Sequence, residues 1–264
     1  MKIGFIGCGN MGGAIATAVS KSKGVELYLA DYSTDKRDAL AATLSATPCT
    51  NKEIAAECNF VFLGVKPGVI RSVLEEIKSE ISSNENAVIV TMAAGVPLST
   101  LEEMLPQTKI IRIMPNTPVA VGCGMITWCK GARVTDCDAK TFSSIMSNAG
   151  RLDLVSESQI DAATAVAGCG PAFVYMFAEA LSDGGVKCGL TRDKAMDYAV
   201  QTLIGAAEMI RKTGKHPGQL KDEVCSPGGS TIEGVHTLED GAFRSLAANA
   251  VIAAYEKTKK LAGK

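Results

Sequence analysis

"KIGFIGCGNMGGAI", residues 2–15, is an apolar run that breaks at a glycine, turns, and resumes with a helical pattern. Gly7, Gly9 and Gly12 have the G-x-G-x-x-G spacing. In a dinucleotide-binding turn the first glycine makes the tight turn and the second lets a pyrophosphate approach the backbone. The third lets the helix pack closely on the strand. The helix N-terminus adds N–H donors and the positive end of its dipole. The spacing alone is a weak signal. Here a strand precedes it, a helix follows it, and Asp31 lies nineteen residues beyond Gly12 at the end of the next apolar run. That is the context the motif requires.

Four more apolar runs follow the same plan: "ELYLAD" (26–31), "FVFLGVKP" (60–67), "AVIVTMAAG" (87–95) and "KIIRIMPNTP" (109–118). "CGMITWCKG" (123–131) is a candidate sixth strand. Helical patterns lie between them, over 12–22 and 68–81. Continuous apolar strands alternating with helices predict a buried, mainly parallel sheet. The fold class is therefore α/β, with a Rossmann dinucleotide-binding domain over residues 1–157.

From residue 158 to 264 the pattern is all helix, rich in Ala and Gly. Residues 160–189 are apolar on almost every side, broken by Gly168, Gly170 and Pro171. Helical patterns over 192–214 and 230–263 follow, punctuated by Gly214, Pro217 and Gly241. Helices apolar all round must be buried. This half is read as an obligate dimerisation domain, the alternative being a self-contained bundle.

A formal net charge of −1 and the lack of a long Lys/Arg run argue against a nucleic-acid partner. No uninterrupted apolar stretch reaches a membrane span of roughly 18 residues, and "MKIGFIGCG" is too glycine-rich for a signal peptide. The nine cysteines include no C-x-x-C pair, and His216 and His236 do not cluster with them. No metal site is expected. An odd cysteine count fits reduced thiols in the cytoplasm.

Asp31 raises a question of cofactor. A carboxylate at this place accepts hydrogen bonds from the adenosine ribose of NAD and repels the 2′-phosphate of NADP. Yet Ser33, Thr34, Lys36 and Arg37 follow at once, with hydroxyls and positive charge where that phosphate would sit. Lys36 and Arg37 have a second reading as a solvated helix start. The turns "GVKPGVI" (64–70), "TMAAGVP" (91–97) and "MPNTP" (114–118) end strands, where ligands gather in open α/β sheets. Asn116 either satisfies backbone groups in its turn or faces the nicotinamide.

Together these pieces resemble the pyrroline-5-carboxylate reductases, nearly end to end. The resemblance is carried by "GFIGCGNMGGAI", "FLGVKP", "MAAGV", "RIMPNTP", "AGCGPAFVYMFAEALSDGGVKCGL" and "CSPGGSTIEGVHTLE". Where the family usually has Ser in "AGCGPA", this chain has Cys169. Asp31 departs from members with Ser or Asn-Arg near that point. The resemblance implies hydride transfer from NAD(P)H to the C=N bond of 1-pyrroline-5-carboxylate, giving L-proline. NADPH is the favoured cofactor, with NADH possible. It also implies a helical domain that interlocks with a second copy in a homodimer, with assembly up to a decamer. Carried over residue by residue, Gly7, Cys8, Gly9, Asn10, Met11 and Gly12 hold the pyrophosphate. Ser33 and Asn51 lie by the adenosine ribose, where the position of Asp31 after strand two places it as well, and Val65, Lys66, Pro67, Ala93 and Asn116 lie along the cofactor. Ser226, Gly228, Gly229, Ser230 and Thr231 meet the substrate.

"CSPGGST" (225–231) is a second glycine turn that opens a helix, and so a second place for an anion, here the substrate's carboxylate. The bland alternative is a turn that only starts a helix. "STIE" (230–233) has capping-box spacing. With Ser230 occupied as the cap, Thr231 is the hydroxyl free for the ring nitrogen. An iminium needs little more than orientation against the nicotinamide. His236 is assigned a packing or surface role, and Lys66 a charge beside phosphate or ribose. Two rival readings are a β-hydroxyacid dehydrogenase and a non-catalytic dinucleotide sensor. The first would need a "DAPVSGG"-like loop and a following lysine, where this chain reads "AGCGPAFVYMF". The second leaves "CSPGGST" without a purpose.

Overall fold

The structure, a computed structural model, describes residues 1–261. By its internal contacts the chain divides into two compact units. One comprises Met1–Cys169 with the end of the chain from Ala254, and the other is Gly170–Ala253.

The first unit is built on one sheet. Its strands are β1 (Lys2–Ile6), β2 (Glu26–Ala30), β3 (Thr47–Pro48), β4 (Phe60–Leu63), β5 (Val88–Thr91), β6 (Lys109–Met114), β7 (Gly124–Lys130) and β8 (Gly150–Leu154). Their order is β3-β2-β1-β4-β5-β6-β7-β8. The chain leaves β1 toward β2 and β3, then returns to lay β4 on the other side of β1. The β1/β4 gap is thus the topological switch point, where open α/β sheets bind ligands. All pairs are parallel except β6 with β7. Only residues 115–123 join those two, fewer than the dozen or so a parallel crossover needs.

Alternation along the strands feeds two cores. Phe5, Phe62, Val90 and Ile111 face one side, where α1 (Asn10–Val19) and α6 (Asp136–Ile145) pack. Phe5 and Phe62 stack at 4.6 Å between ring centroids. Trp128, the chain's single tryptophan, lies buried on this side with its ring centroid 5.0 Å from Phe142. Val61, Leu63 and Ile89 face the other side, against α3 (Asn51–Glu57) and α4 (Ile70–Ser83). Helix α4 buries Ile70, Val73, Leu74, Ile77 and Ile81, the i, i+3, i+4, i+7 stripe its sequence shows.

A buried arginine interrupts the second core. Arg112 of β6 is 2 % exposed. Its Nη1 donates to Glu157 Oε1 at 2.8 Å, and Nη2 lies 4.0 Å from Asp161 Oδ1. The same Glu157 oxygen accepts the N–H of Leu98 at 2.7 Å. This network joins β6, the start of α5 (Leu98–Met104) and the short helix α7 (Ile160–Ala163). Ile160 is fully buried in the second core.

The structure differs from the sequence reading in several elements. β3 and β8 were not expected. Gly168, Gly170 and Pro171 do not break the helix. A π-helical turn, Thr164–Gly168, leads on to α8 (Gly170–Lys187), so Glu157–Lys187 is one helical run, long and apolar enough to pass for a membrane span by composition. Pro171 has no N–H to meet the carbonyl of Ala167 four residues before it, and that oxygen accepts instead from Asn116 Nδ2 at 2.9 Å.

The second unit contains α8, α9 (Arg192–Thr213), α10 (Pro217–Glu223), α11 (Ser230–Asp240) and the first part of α12 (Phe243–Leu261). The expected helix end at 263 lies outside the described residues. Helix α10 was not expected. His216 caps it by accepting the Gly218 N–H on Nδ1 at 3.1 Å. Helices α8 and α9 pack through small residues, with Gly185 facing Ala195. Among the described residues α8 buries only Ala178 and Ser182, and α9 only Ala195 and Ala199. Tyr175, Met176, Ile204 and Met209 are all more than half exposed.

Candidate active site

A cleft of about 680 Å³ opens at the carboxyl ends of β1, β2 and β4. Gly7 and Gly64 of its lining interlock with Gly12. Gly7 has φ +100°, which L side chains rarely adopt. A Cβ on Gly12 would stand 2.1 Å from the Gly7 carbonyl oxygen, and one on Gly64 would stand 2.6 Å from it. Gly9 differs: among the described residues nothing lies within 4 Å of where its Cβ would be. The backbone there is open to an incoming group, which is the fit a pyrophosphate demands.

The structure sorts the predicted loop residues into supports and donors. Gly7 N–H donates to Ala30 O at 2.8 Å, and Cys8 N–H to Asp31 Oδ2 at 2.6 Å. Cys8 is buried, with its thiol 3.6 Å from Ala30 O. Burial, with the Asp31 carboxylate second, pushes that thiol up to about 11, so it stays neutral near pH 7. Cys8 N–H and thiol are thus both engaged with the end of β2, and Cys8 supports the loop from beneath. Gly9 N-caps α1, and Asn10, Met11 and Gly12 form its first turn, where backbone N–H groups have no intrahelical acceptor.

At the adenosine end, Asp31, Tyr32, Arg37 and Asn51 line the cleft. Asp31 Oδ1 accepts the Ser33 N–H at 2.8 Å. The Ser33 side chain N-caps α2 (Thr34–Leu44) through Lys36 N–H. Arg37 Nε donates to Asp38 at 2.7 Å. Asn51 donates to Glu76 Oε2 at 2.9 Å. Val65 and Lys66 line the cleft too, and Lys66 has no ion pair among the described residues. Pro67 follows at the exposed start of a 3-10 turn.

Two of the expected cofactor residues are engaged within the protein itself. Ala93 is 2 % exposed and packs in the second core, leaving the neighbouring Ala94 exposed. Asn116 is used by the backbone: its Nδ2 donates to Ala167 O at 2.9 Å and its Oδ1 accepts Met125 N–H at 2.8 Å. It holds the tight β6–β7 turn, and the sequence reading had left that option open.

On the helical unit, residues 226–229 form a turn closed by Gly229 N–H to Ser226 O at 3.0 Å, with Gly228 at φ +66°. Helix α11 begins at Ser230, and Gly229 is its N-cap without any side-chain capping bond. The expected capping box at Ser230 and Glu233 is absent because the helix starts one residue early. Boxes form instead at Thr50/Glu53, Thr135/Asp138 and Ser156/Gln159. Ser230 and Thr231 are both exposed, and neither hydroxyl is bonded among the described residues. The elimination that singled out Thr231 therefore falls, and both hydroxyls stand free beside the first-turn N–H groups. His236 is 74 % exposed with Nδ1 3.1 Å from Asp240, a surface role.

The chain is similar to known proteins over its whole length. The pyrroline-5-carboxylate reductase of Arabidopsis thaliana is 41% identical over 265 residues, covering 98% of this chain and 95% of the relative. This chain belongs to the pyrroline-5-carboxylate reductase family. The reductase of Escherichia coli strain K12 is also 41% identical, covering 98% of each chain. Residues 157–261 match the family model for pyrroline-5-carboxylate reductase dimerisation. Residues 2–95 match one described as NADP oxidoreductase, coenzyme F420-dependent. Among solved structures, the Plasmodium falciparum pyrroline carboxylate reductase with NADP bound superposes with a TM-score of 0.88. It is 36% identical and covers 99% of this chain and 98% of its own. Family membership excludes the hydroxyacid-dehydrogenase and sensor readings.

Proposed function

We propose that this chain reduces 1-pyrroline-5-carboxylate to L-proline with NADPH as the preferred donor and NADH as a second substrate. The observation that carries it is the pairing of two glycine turns at helix starts within a full-length family match. One is open at Gly9 and the other free of side-chain caps at Ser230. When bound, the reduced nicotinamide supplies a hydride to the imine carbon. The C=N bond becomes a single bond and its nitrogen keeps the proton it carried as an iminium.

The chain's own residues bind and orient. The N–H groups of Gly9 to Gly12 and the α1 dipole hold the pyrophosphate. Arg37, whose terminal guanidinium nitrogens make no hydrogen bond among the described residues, meets the 2′-phosphate together with Thr34 and Lys36. Ser33 and Asn51 stand by the ribose, and Val65, Lys66 and Pro67 run beside the cofactor. Ser226, Gly228, Gly229 and Ser230 hold the substrate carboxylate, and the Thr231 hydroxyl holds the ring nitrogen.

The exposed apolar faces of α8 and α9 support a homodimer as the working unit, with dimers gathering up to a decamer. Nine free thiols support a reducing cytoplasm. Purified protein should oxidise NADPH with pyrroline-5-carboxylate and not with the keto product of a hydroxyacid. Thr231→Ala should lower kcat by the equivalent of about 2 to 4 kcal/mol with NADPH affinity unchanged. Ser230→Ala, run beside it, should raise KM more than it lowers kcat. The reverse pattern moves the ring-nitrogen contact to Ser230.

A further inference from the structure

We propose that Asp31 is a brace for the first glycine loop, and neither a reader of the adenosine ribose nor a repeller of the 2′-phosphate. The inference rests on the reading of the cleft as a dinucleotide site. A carboxylate ending β2 some twenty residues past the loop invites the opposite assignment, that of an NAD discriminator. The geometry points elsewhere.

Both oxygens of Asp31 are drawn onto backbone donors. Oδ2 accepts Cys8 N–H at 2.6 Å and Oδ1 accepts Ser33 N–H at 2.8 Å. Two donors, one on each oxygen, fix the plane of the carboxylate. They tie the loop after β1 to the turn that opens α2. Gly7 N–H and the Cys8 thiol are held to Ala30 O beside it, so residues 7 and 8 are pinned to residues 30 and 31 at three points. Only the bond from Cys8 N–H depends on a side chain as acceptor. Without it a partly buried backbone donor would lose its partner.

The pinned half of the loop sets the free half. The backbone of Gly7 and Cys8 leads directly into Gly9, Asn10, Met11 and Gly12, whose N–H groups face the phosphates. The pyrophosphate is common to NADH and NADPH. Loosening Asp31 should therefore weaken both cofactors together and leave the choice between them almost unchanged. Arg37 lines the same end of the cleft. It keeps the discrimination.

The test is calorimetric titration of the full-length protein with NADPH and NADH, for wild type, Asp31→Asn and Arg37→Ala. The asparagine offers one acceptor oxygen and sets an NH2 group against the other backbone donor. Both dissociation constants should rise about ten-fold or more, while their ratio shifts by less than about three-fold. Arg37→Ala should weaken NADPH alone. Tighter NADPH binding with weaker NADH binding in Asp31→Asn overturns the brace and restores the ribose reader. Amide hydrogen exchange at Cys8 in the wild type needs no variant to fold. Slow exchange against the exposed Gly9 is expected, and exchange as fast as Gly9 overturns the proposal. If wild type binds neither dinucleotide, the functional reading fails, and the exchange measurement alone judges the brace.

Discussion

In the sheet unit Ile3, Phe5, Ile77 and Ile113 are each 0 % exposed, while in the helical unit Tyr175, Met176, Val224 and Leu246 are each more than 60 % exposed. The two regions solve the same problem differently. Helices on both faces of the sheet close two cores within one chain. Helices α8 and α9 touch through alanine, glycine and serine and turn larger apolar side chains outward. A region that buries so little of its apolar surface is incomplete as a monomer, since exposed patches of this kind mark association surfaces. The dimerisation model that matches residues 157–261 accounts for that surface.

The largest test of the contrast is to charge the open face. The double variant Tyr175→Glu/Met176→Glu should shift the assembly to monomer by about 4 kcal/mol or more, because two carboxylates would be buried unpaired. Both sites are exposed in the isolated chain, so helix content should hold in circular dichroism while light scattering shows the smaller species. A dimer that survives both charges would place the interface elsewhere.

The closed unit should respond in the opposite way, by losing its own fold. Gly12→Ala sets a Cβ against the Gly7 carbonyl at 2.1 Å in a place with no flexible neighbour. A loss of about 3 kcal/mol or more is expected in denaturant unfolding. Next comes the Arg112 network. Glu157→Ala removes one acceptor from a buried guanidinium and another from Leu98 N–H. Discounted for the partial exposure of Glu157, the cost should be about 2 to 3 kcal/mol. An apolar Arg112→Met beside it should cost less. The smallest effect belongs to Gly9→Ala, with no atom of the described residues within 4 Å of the new methyl. Stability should move by less than about 0.5 kcal/mol, while dinucleotide affinity falls. Equal losses for Gly9→Ala and Gly12→Ala would break the division of that loop into packed and open halves.

The expected strands were legible because their apolar runs are continuous, and α4 because its stripe repeats at 3.6 residues. β3 escaped because Thr47–Pro48 is two residues long and contains a proline. β8 escaped because "GRLDL" alternates charge with leucine and carries no β-branched residue. The S-x-x-E spacing at Ser230 was legible and misleading. The same spacing forms real boxes at three other helix starts, and what decides is the turn before the helix, which at Ser226–Gly229 moves the cap to glycine. The roles of Arg112, Ala93 and Asn116 depend on partners far away in sequence or on burial, and no local pattern carries either. Cys8 was placed correctly in its loop, but the acceptor that takes its N–H lies 23 residues on.

Trp128 gives the comparison a convenient optical consequence. The chain has one tryptophan, and it lies buried in the sheet unit against Phe142. Its emission will follow the melting of the sheet and stay silent when helices part from a partner. Tyr175 and Tyr198 stand on the open helices at 62 % and 54 % exposure. A tyrosine signal that changes on dilution while the tryptophan signal holds would time the two events separately, in one cuvette and without a label.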